Sequence, residues 1–150
     1  MPDLPLFHLA FGVSDLESTR RFYLDVIGCS EGRSAPRWVD FDLQGHQLSA
    51  HLVDGVAAAP TNPVDGDQVP IPHFGLILEW PAWEALAERV RSHGQGFVIE
   101  PRVRFQGQAG EQGTFFLRDP SGNHLEFKTF RSRAQVFETE AGGAGGPATA

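Results

Sequence analysis

Apolar and polar positions are most regularly arranged over residues 113–130, GTFFLRDPSGNHLEFKTF, which read as a β-hairpin. An apolar run is followed by the turn segment Asp119-Pro120-Ser121-Gly122-Asn123 and then by a second, alternating run. Pro120 presets φ at the second turn position, Gly122 tolerates positive φ, and Asp119 can accept from the backbone further on. In the second strand Leu125, Phe127 and, at its end, Phe130 are apolar, whereas His124, Glu126 and Lys128 share the opposite face. A carboxylate projecting from a strand of this kind is costly to bury without a cation, which makes Glu126 the first residue to explain.

The rest of the chain falls into a comparable pattern. Residues 4–13 read as a strand, with Leu6, His8 and Ala10 on one face and Phe7, Leu9 and Phe11 on the other. Ser14-Asp15-Leu16-Glu17 has the form of a capping box and predicts a helix start. Leu16, Thr19, Phe22, Tyr23, Val26 and Ile27 recur at helical spacing, and Gly28 supplies the stop. Residues 37–43 alternate as a strand, Gln44-Gly45 reads as a turn, and residues 47–53 follow as a further strand. There Leu48, Ala50 and Leu52 form the apolar set, while Gln47, Ser49 and His51 face the other way.

Residues 54–72 lose this periodicity and read as a connecting loop, long enough to serve as a lid or a module linker. The pattern then recurs: a strand over 72–80, and a helix with Pro81 at its first position and Trp83, Leu86, Ala87 and Val90 as its apolar stripe. Gly94 ends that helix, and a short strand over 97–101 precedes the hairpin. Both halves therefore read strand–helix–strand–strand–strand, an internal duplication. The expectation is an α+β fold of two βαβββ modules. A single domain would span 1–138, with module one at about 4–53, a linker at 54–71 and module two at about 72–130. The Ala/Gly-rich end, 139–150, is expected to be disordered.

At 150 residues and 41% hydrophobic the chain can bury one good core. A formal net charge of −7, without a Lys/Arg run, argues against a nucleic-acid partner. The single cysteine, Cys29, excludes an intramolecular disulfide and a Cys-rich zinc site. Neither a signal-peptide pattern nor an apolar run of membrane-spanning length is visible, so a cytoplasmic protein without a membrane partner is expected.

Superposing the halves matches His8 with His73 and His51 with Glu126. The second spacing is the longer, and a Gly/Gln-rich stretch at 104–112 accommodates the excess. If the halves pack about a pseudo-twofold axis, these four side chains can meet at one metal ion. Two imidazoles and one carboxylate with open positions suit Fe(II), whereas a further His also suits Zn, Ni, Co or Mn. Of the other histidines, His46 has the opposite parity to His51 and reads as surface or turn. His93 closes the second helix, where a cation favours the dipole, and His124 opens its strand at the rim. Lys128, on the face of Glu126, reads either as an anchor for a substrate carboxylate or as an exposed edge lysine. Arg37, Arg102 and Arg104 could serve the same purpose as Lys128, but arginines that flank strands usually face solvent, which is the expectation here. Trp38, Trp80 and Phe105 either line an aromatic pocket or pack in the core.

The stretches FHLAF, GHQLSAHLVD, PHFG and DPSGNHLEFK, set in paired βαβββ halves, resemble the vicinal-oxygen-chelate superfamily. That superfamily includes glyoxalase I, extradiol dioxygenases, methylmalonyl-CoA epimerase, fosfomycin-resistance enzymes and bleomycin-binding proteins. The likeness covers roughly 4–130 and is nearest to small single-domain extradiol-dioxygenase-like proteins. It implies two modules forming a curved mixed sheet around a central metal cavity, paired within one chain or between two, and a homodimer. Carried over by position, His8, His73 and Glu126 match the dioxygenase His/His/Glu triad. His51 falls where glyoxalase I places an acidic ligand, so it is a fourth ligand or an acid/base. The catalytic tyrosine of the extradiol enzymes has no counterpart, since Tyr23 lies on the first helix with core-like spacing. The resemblance thus implies a metal-dependent oxidoreductase acting on a small substrate with adjacent oxygens. Fe(II) is the first choice of ion, His51 and Glu126 are the catalytic groups, and Lys128 binds substrate. The alternatives are a glyoxalase- or epimerase-type isomerase with four protein ligands, or a non-catalytic small-molecule-binding protein.

Overall fold

The computed structural model describes residues 3–56 and 58–139; the expected Ala/Gly-rich tail from residue 140 lies outside them. The chain divides into two compact units, Met1–Ala58 with Asp119–Asn123, and Ala59–Arg118 with His124–Ala150.

The first unit contains β1 (His8–Val13), α1 (Leu16–Arg20) continuing as a π-helical segment (Arg21–Ile27), β2 (Ser30–Ala35), β3 (Trp38–Leu43) and β4 (His46–Leu52). The strand order is β1-β4-β3-β2. β1 runs parallel to β4 with His8 opposite Gln47, and the other pairings are antiparallel. The second unit opens with a separate hairpin, β5 (Thr61–Val64) and β6 (Asp67–Pro70). Then come β7 (His73–Phe74), β8 (Ile77–Leu78), α2 (Trp80–Ser92), β9 (Ile99–Arg104), β10 (Gln112–Arg118) and β11 (His124–Phe130). Here the order is β7-β11-β10-β9, with β8 also pairing β11. β7 and β8 run parallel to β11, as β1 does to β4. The duplication expected from the pattern is therefore a topological one, and the chain is an α+β protein built on mixed sheets.

In the first unit the apolar faces of the sheet and helix close on each other. Tyr23 is fully buried, stacks on Phe41 at 5.2 Å between ring centroids, and its hydroxyl donates to Asp119 Oδ2 at 2.9 Å. Asp119 also accepts from the backbone of Ser121 (2.9 Å) and Asn123 (2.8 Å) and from Asn123 Nδ2 (3.0 Å). The turn read from the sequence is thus organised around one carboxylate. Asn123 Nδ2 reaches Gly12 O at 2.8 Å, and Ser14 N donates to Ser121 Oγ at 2.9 Å. In the second unit α2 lays Trp83 against Phe115, and the indole N–H donates to Phe127 O at 2.9 Å. Gly113 leaves room for that ring, since a Cβ there would lie 3.1 Å from Trp83.

Several boundaries differ from the sequence reading, each for a local reason. The β1 ladder begins at His8, so Leu4, Leu6 and Phe7 lie outside the strand and are exposed. The helix cap is Asp15, not Ser14: its carboxylate accepts from Ser18 N at 2.8 Å. A carboxylate is an effective acceptor for the orphan N–H groups of a first turn. Gly28 closes the helix at φ 89°, as its type predicts. β2 was not legible, because its residues show no apolar alternation and are almost all exposed. The stretch read as a loop holds the β5–β6 hairpin, turned by Asp65 and Gly66 at φ 43° and 84°, the Asp-Gly signal of a tight hairpin. The expected strand over 72–80 is split into β7 and β8, and the strand expected at 97–101 runs instead over Ile99–Arg104.

Tyr23→Phe keeps the ring packing and removes the donor to Asp119. A loss of about 1–2 kcal/mol is expected, to be read from urea unfolding monitored by far-UV circular dichroism.

Candidate metal centre

On β11 the even-numbered side chains from His124 to Phe130 share one face, and the register fixes their neighbours. Glu126 lies opposite Phe116, Lys128 opposite Thr114, and Phe130 opposite Gln112. β7 places His73 beside His124, one alternation from Glu126. The chain can come this close because it is glycine that follows Phe74: a Cβ on Gly75 would lie 1.7 Å from Glu126 O.

Glu126 is 7% exposed and is held by three groups. His73 Nε2 lies 3.2 Å from Oε1, Lys128 Nζ lies 3.7 Å from the same oxygen, and Thr114 Oγ1 donates to Oε2 at 2.5 Å. The other nitrogen of His73, Nδ1, lies 2.7 Å from Pro70 O. A carbonyl only accepts, so a hydrogen bond here requires the proton on Nδ1, while Nε2 is turned toward the carboxylate. The hydrogen bond to Glu126 raises the His73 pKa above its ordinary value of 6.5, against the opposing effect of burial. For Glu126 desolvation is the largest single influence and acts upward. The His73 hydrogen bond, the Lys128 charge and the Thr114 hydroxyl together outweigh it, and the carboxyl lies below its ordinary 4.5.

His73 and Glu126 are two residues of types that could ligate a divalent cation. A ligating imidazole characteristically presents one nitrogen to the metal while the other donates to a carbonyl or carboxylate, as Nδ1 does to Pro70 O. Thr114 and Pro70 O were not identified from the sequence; one is an ordinary strand threonine, and the other is a backbone atom. Among the described residues no group of three or more His, Cys, Asp or Glu side chains forms a potential metal-binding cluster. The structure brings together His73, Glu126 and Lys128.

His8 and His51 lie on the first unit's sheet, both exposed. His8 shares a row with Gln47, and His51 shares one with Gly12 and Trp38. The rows are four residues apart, about 13 Å at strand spacing, and the side chains stand perpendicular to the sheet. The repeat match of His51 with Glu126 needs correcting. His8 pairs with Gln47 as His73 pairs with His124, so the counterpart of Glu126 is Ser49, two residues beyond Gln47. Ser49 is buried and donates to Asp40 Oδ1 at 2.6 Å. His51 corresponds in turn to Lys128.

The remaining candidates are accounted for locally. His46 Nδ1 accepts from Phe7 N at 3.0 Å, and His93 caps α2 with Nδ1 2.9 Å from Arg89 O. Arg37 donates to Leu52 O at 2.9 Å. Trp80 lies under the Arg131 guanidinium at 3.7 Å. Arg104, expected to face solvent, is instead buried at 3% exposure, because a carboxylate from the β5–β6 hairpin meets it.

A sequence model described as the glyoxalase/bleomycin resistance protein/dioxygenase superfamily matches residues 6–127. A crystal structure of a glyoxalase/bleomycin resistance protein/dioxygenase from Alicyclobacillus acidocaldarius has a TM-score of 0.78 at 31% identity, covering 91% of this chain and all (100%) of that one. A virulence protein of Salmonella typhimurium is 27% identical over 128 residues, 82% of each chain. The fosfomycin resistance protein FosX from Listeria monocytogenes shares the fold, with a TM-score of 0.65 at 19% identity over 89% of this chain and 98% of that one.

Two outcomes follow for the metal-free protein. His73, with its raised pKa, contributes stability that is full below 6.5 and is lost as pH rises through its folded value. Glu126, with its lowered pKa, contributes above 4.5 and loses that contribution as pH falls through its folded value. The deficit of His73→Asn in urea unfolding should therefore be greatest between pH 4.5 and 6.5 and shrink on either side. Thr114→Val leaves Glu126 Oε2 without its donor and should cost about 1–3 kcal/mol, measured in the same assay.

Proposed function

The chain belongs to the glyoxalase/bleomycin resistance protein/dioxygenase superfamily, and we propose that it is a metal-dependent enzyme acting on a small substrate with adjacent oxygens. Superfamily members commonly bind a divalent metal, act on small molecules and form dimers. The observation that carries the proposal is the buried Glu126–His73 pair, with Thr114 fixing the carboxylate and Pro70 O fixing the imidazole tautomer.

In this reading Glu126 and His73 hold the ion with His8, supplied by the same chain or by a second copy in a homodimer. Two imidazoles and one carboxylate leave coordination positions for substrate and suit Fe(II), with Zn, Ni, Co or Mn as other occupants. Such an ion would act as a Lewis acid on two neighbouring oxygens and stabilise the negative charge that develops on them. Ser49 in the place equivalent to Glu126 supports three protein ligands over four. That favours a dioxygenase-type site over a glyoxalase- or epimerase-type one. His51 then serves as a substrate-facing acid/base and not as a ligand: its row lies four residues from that of His8. Lys128, 3.7 Å from Glu126 and partly exposed, is placed to neutralise an anionic group on the substrate. A purely sequestering cavity has no need of a buried His–Glu pair, which weighs against a bleomycin-binder type of role. No helix among the described residues is long and apolar enough to cross a membrane, and a cytoplasmic site of action is part of the proposal.

Elemental analysis of protein purified without chelator tests this reading. Wild type and His51→Ala should retain a transition metal, while His8→Ala and Glu126→Ala lose it. Retention by Glu126→Ala, or a metal-free wild type after supplementation, would overturn the assignment.

A further inference from the structure

The β5–β6 hairpin forms a sheet of its own, yet it touches the candidate metal ligand by two routes that both begin at Asp67. The first is the backbone. Asp67 Oδ2 accepts from Arg104 Nη2 at 2.8 Å and from Arg102 Nη1 at 3.1 Å. Asp65 Oδ2 accepts from Arg102 Nη2 at 3.0 Å. These bonds fasten the turn of the hairpin to β9. Three residues on from Asp67 the same strand ends in Pro70, whose carbonyl holds His73 Nδ1. The second route is through rings. The Arg104 guanidinium lies over the face of Phe116 at 5.8 Å, and Phe116 meets the His73 ring edge-on at 4.9 Å and 78°. Phe116 is itself the cross-strand neighbour of Glu126.

Burial makes this arrangement demanding. Arg104 is 3% exposed, and its Nε has no hydrogen-bond partner among the described residues. A buried guanidinium with an unmet donor carries a desolvation cost that its ion pair only partly offsets. Its neighbour Arg102, bound to the same aspartates, is far more open, with 38% of the side chain exposed. Fastening the hairpin to β9 could be done by Arg102 alone; only Arg104 also packs on Phe116.

We propose that Asp67 and Arg104 are positioning residues for His73: together they set the orientation and tautomer of the imidazole, through the Pro70 carbonyl on one side and the Phe116 ring on the other. The metal-affinity consequence rests on the function proposed above; the tautomer consequence does not.

The test is made on the full chain. The His73 tautomer is read in metal-free protein by NMR of labelled histidine, at a pH where the ring is neutral, and Zn(II) affinity is read by competition titration. In wild type the Nδ1–H form should dominate. Asp67→Asn should mix the two tautomers and weaken Zn(II) binding about tenfold, the usual scale for an outer-shell partner of a ligating histidine. Arg104→Lys keeps Asp67 paired but lacks a planar group to lie on Phe116, and should shift the tautomer in a protein that still melts cooperatively. Asp67→Glu should restore the wild-type tautomer. Ser92→Ala removes an exposed hydrogen bond on α2 (2.8 Å to Arg89 O), outside the hairpin, β9 and β10, and should change neither reading. The inference is overturned if folded Asp67→Asn and Arg104→Lys keep the wild-type tautomer, or if Ser92→Ala shifts it equally. A wild type that binds no Zn(II) but whose tautomer follows Asp67 would support this inference while sinking the metal-dependent function.

Discussion

A carboxylate that is 93% removed from water governs the second unit. Left alone, Glu126 would be protonated or expelled, because no amount of apolar packing compensates a bare buried charge. Its surroundings answer that constraint one by one: a hydroxyl for one oxygen, an imidazole and an ammonium for the other. Each partner comes from a different place in the chain, β10, β7 and β11 itself, so the sheet must be in register for any of them to reach it. Gly75 belongs to the same requirement. With any side chain at that position the chain between β7 and β8 could not approach the Glu126 carbonyl, and the imidazole two residues earlier would be displaced.

The two units meet the same topology with different chemistry. In the first, the row equivalent to that of Glu126 carries Ser49 facing Asp40 on β3, and Asp40 accepts from Ser49 Oγ and, at 3.3 Å, from Gln47 Nε2. In the second, the facing position is Phe116 and the carboxylate is left for His73 and Lys128. The two units share the strand order and a histidine on each leading strand, and carry the acidic group on opposite members of the cross-strand pair. The aspartate on β3 is met by neutral donors, whereas the glutamate on β11 has an imidazole and an ammonium beside it.

Much of this was legible in the chain. The turn at Asp119–Asn123, the apolar stripe of α2, the Gly28 stop and the doubled βαβββ order all follow from local preferences that the tertiary structure leaves intact. The face shared by Glu126 and Lys128 follows from the two-residue period alone. What escaped depends on information that periodicity does not carry. Matching His51 to Glu126 assumed equal strand offsets in the two halves. The ladder His8–Gln47 against His73–His124 decides the offset instead, and no sequence signal reports it. β2 escaped because an exposed edge strand needs no apolar alternation. Arg104 was misplaced because its burial depends on a carboxylate that lies 37 residues earlier in the chain. The hairpin bearing that carboxylate was overlooked despite its Asp-Gly turn, because proline and small residues mask the alternation around it.

The hairpin is also where the two halves cease to be equivalent. Residues 3–7, ahead of β1, form no strand comparable to β5 and β6, and His8 has no carbonyl or ring contact of the kind His73 has among the described residues. An imidazole on a strand rotates between rotamers unless something holds its second nitrogen or its face. For His73 both are held, by Pro70 and by Phe116; for His8 neither is. If the two histidines serve one ion, they are unequal partners. On the function proposed above, His73 and Glu126 would bind with their side chains already held, whereas His8 would give up rotamer freedom on binding.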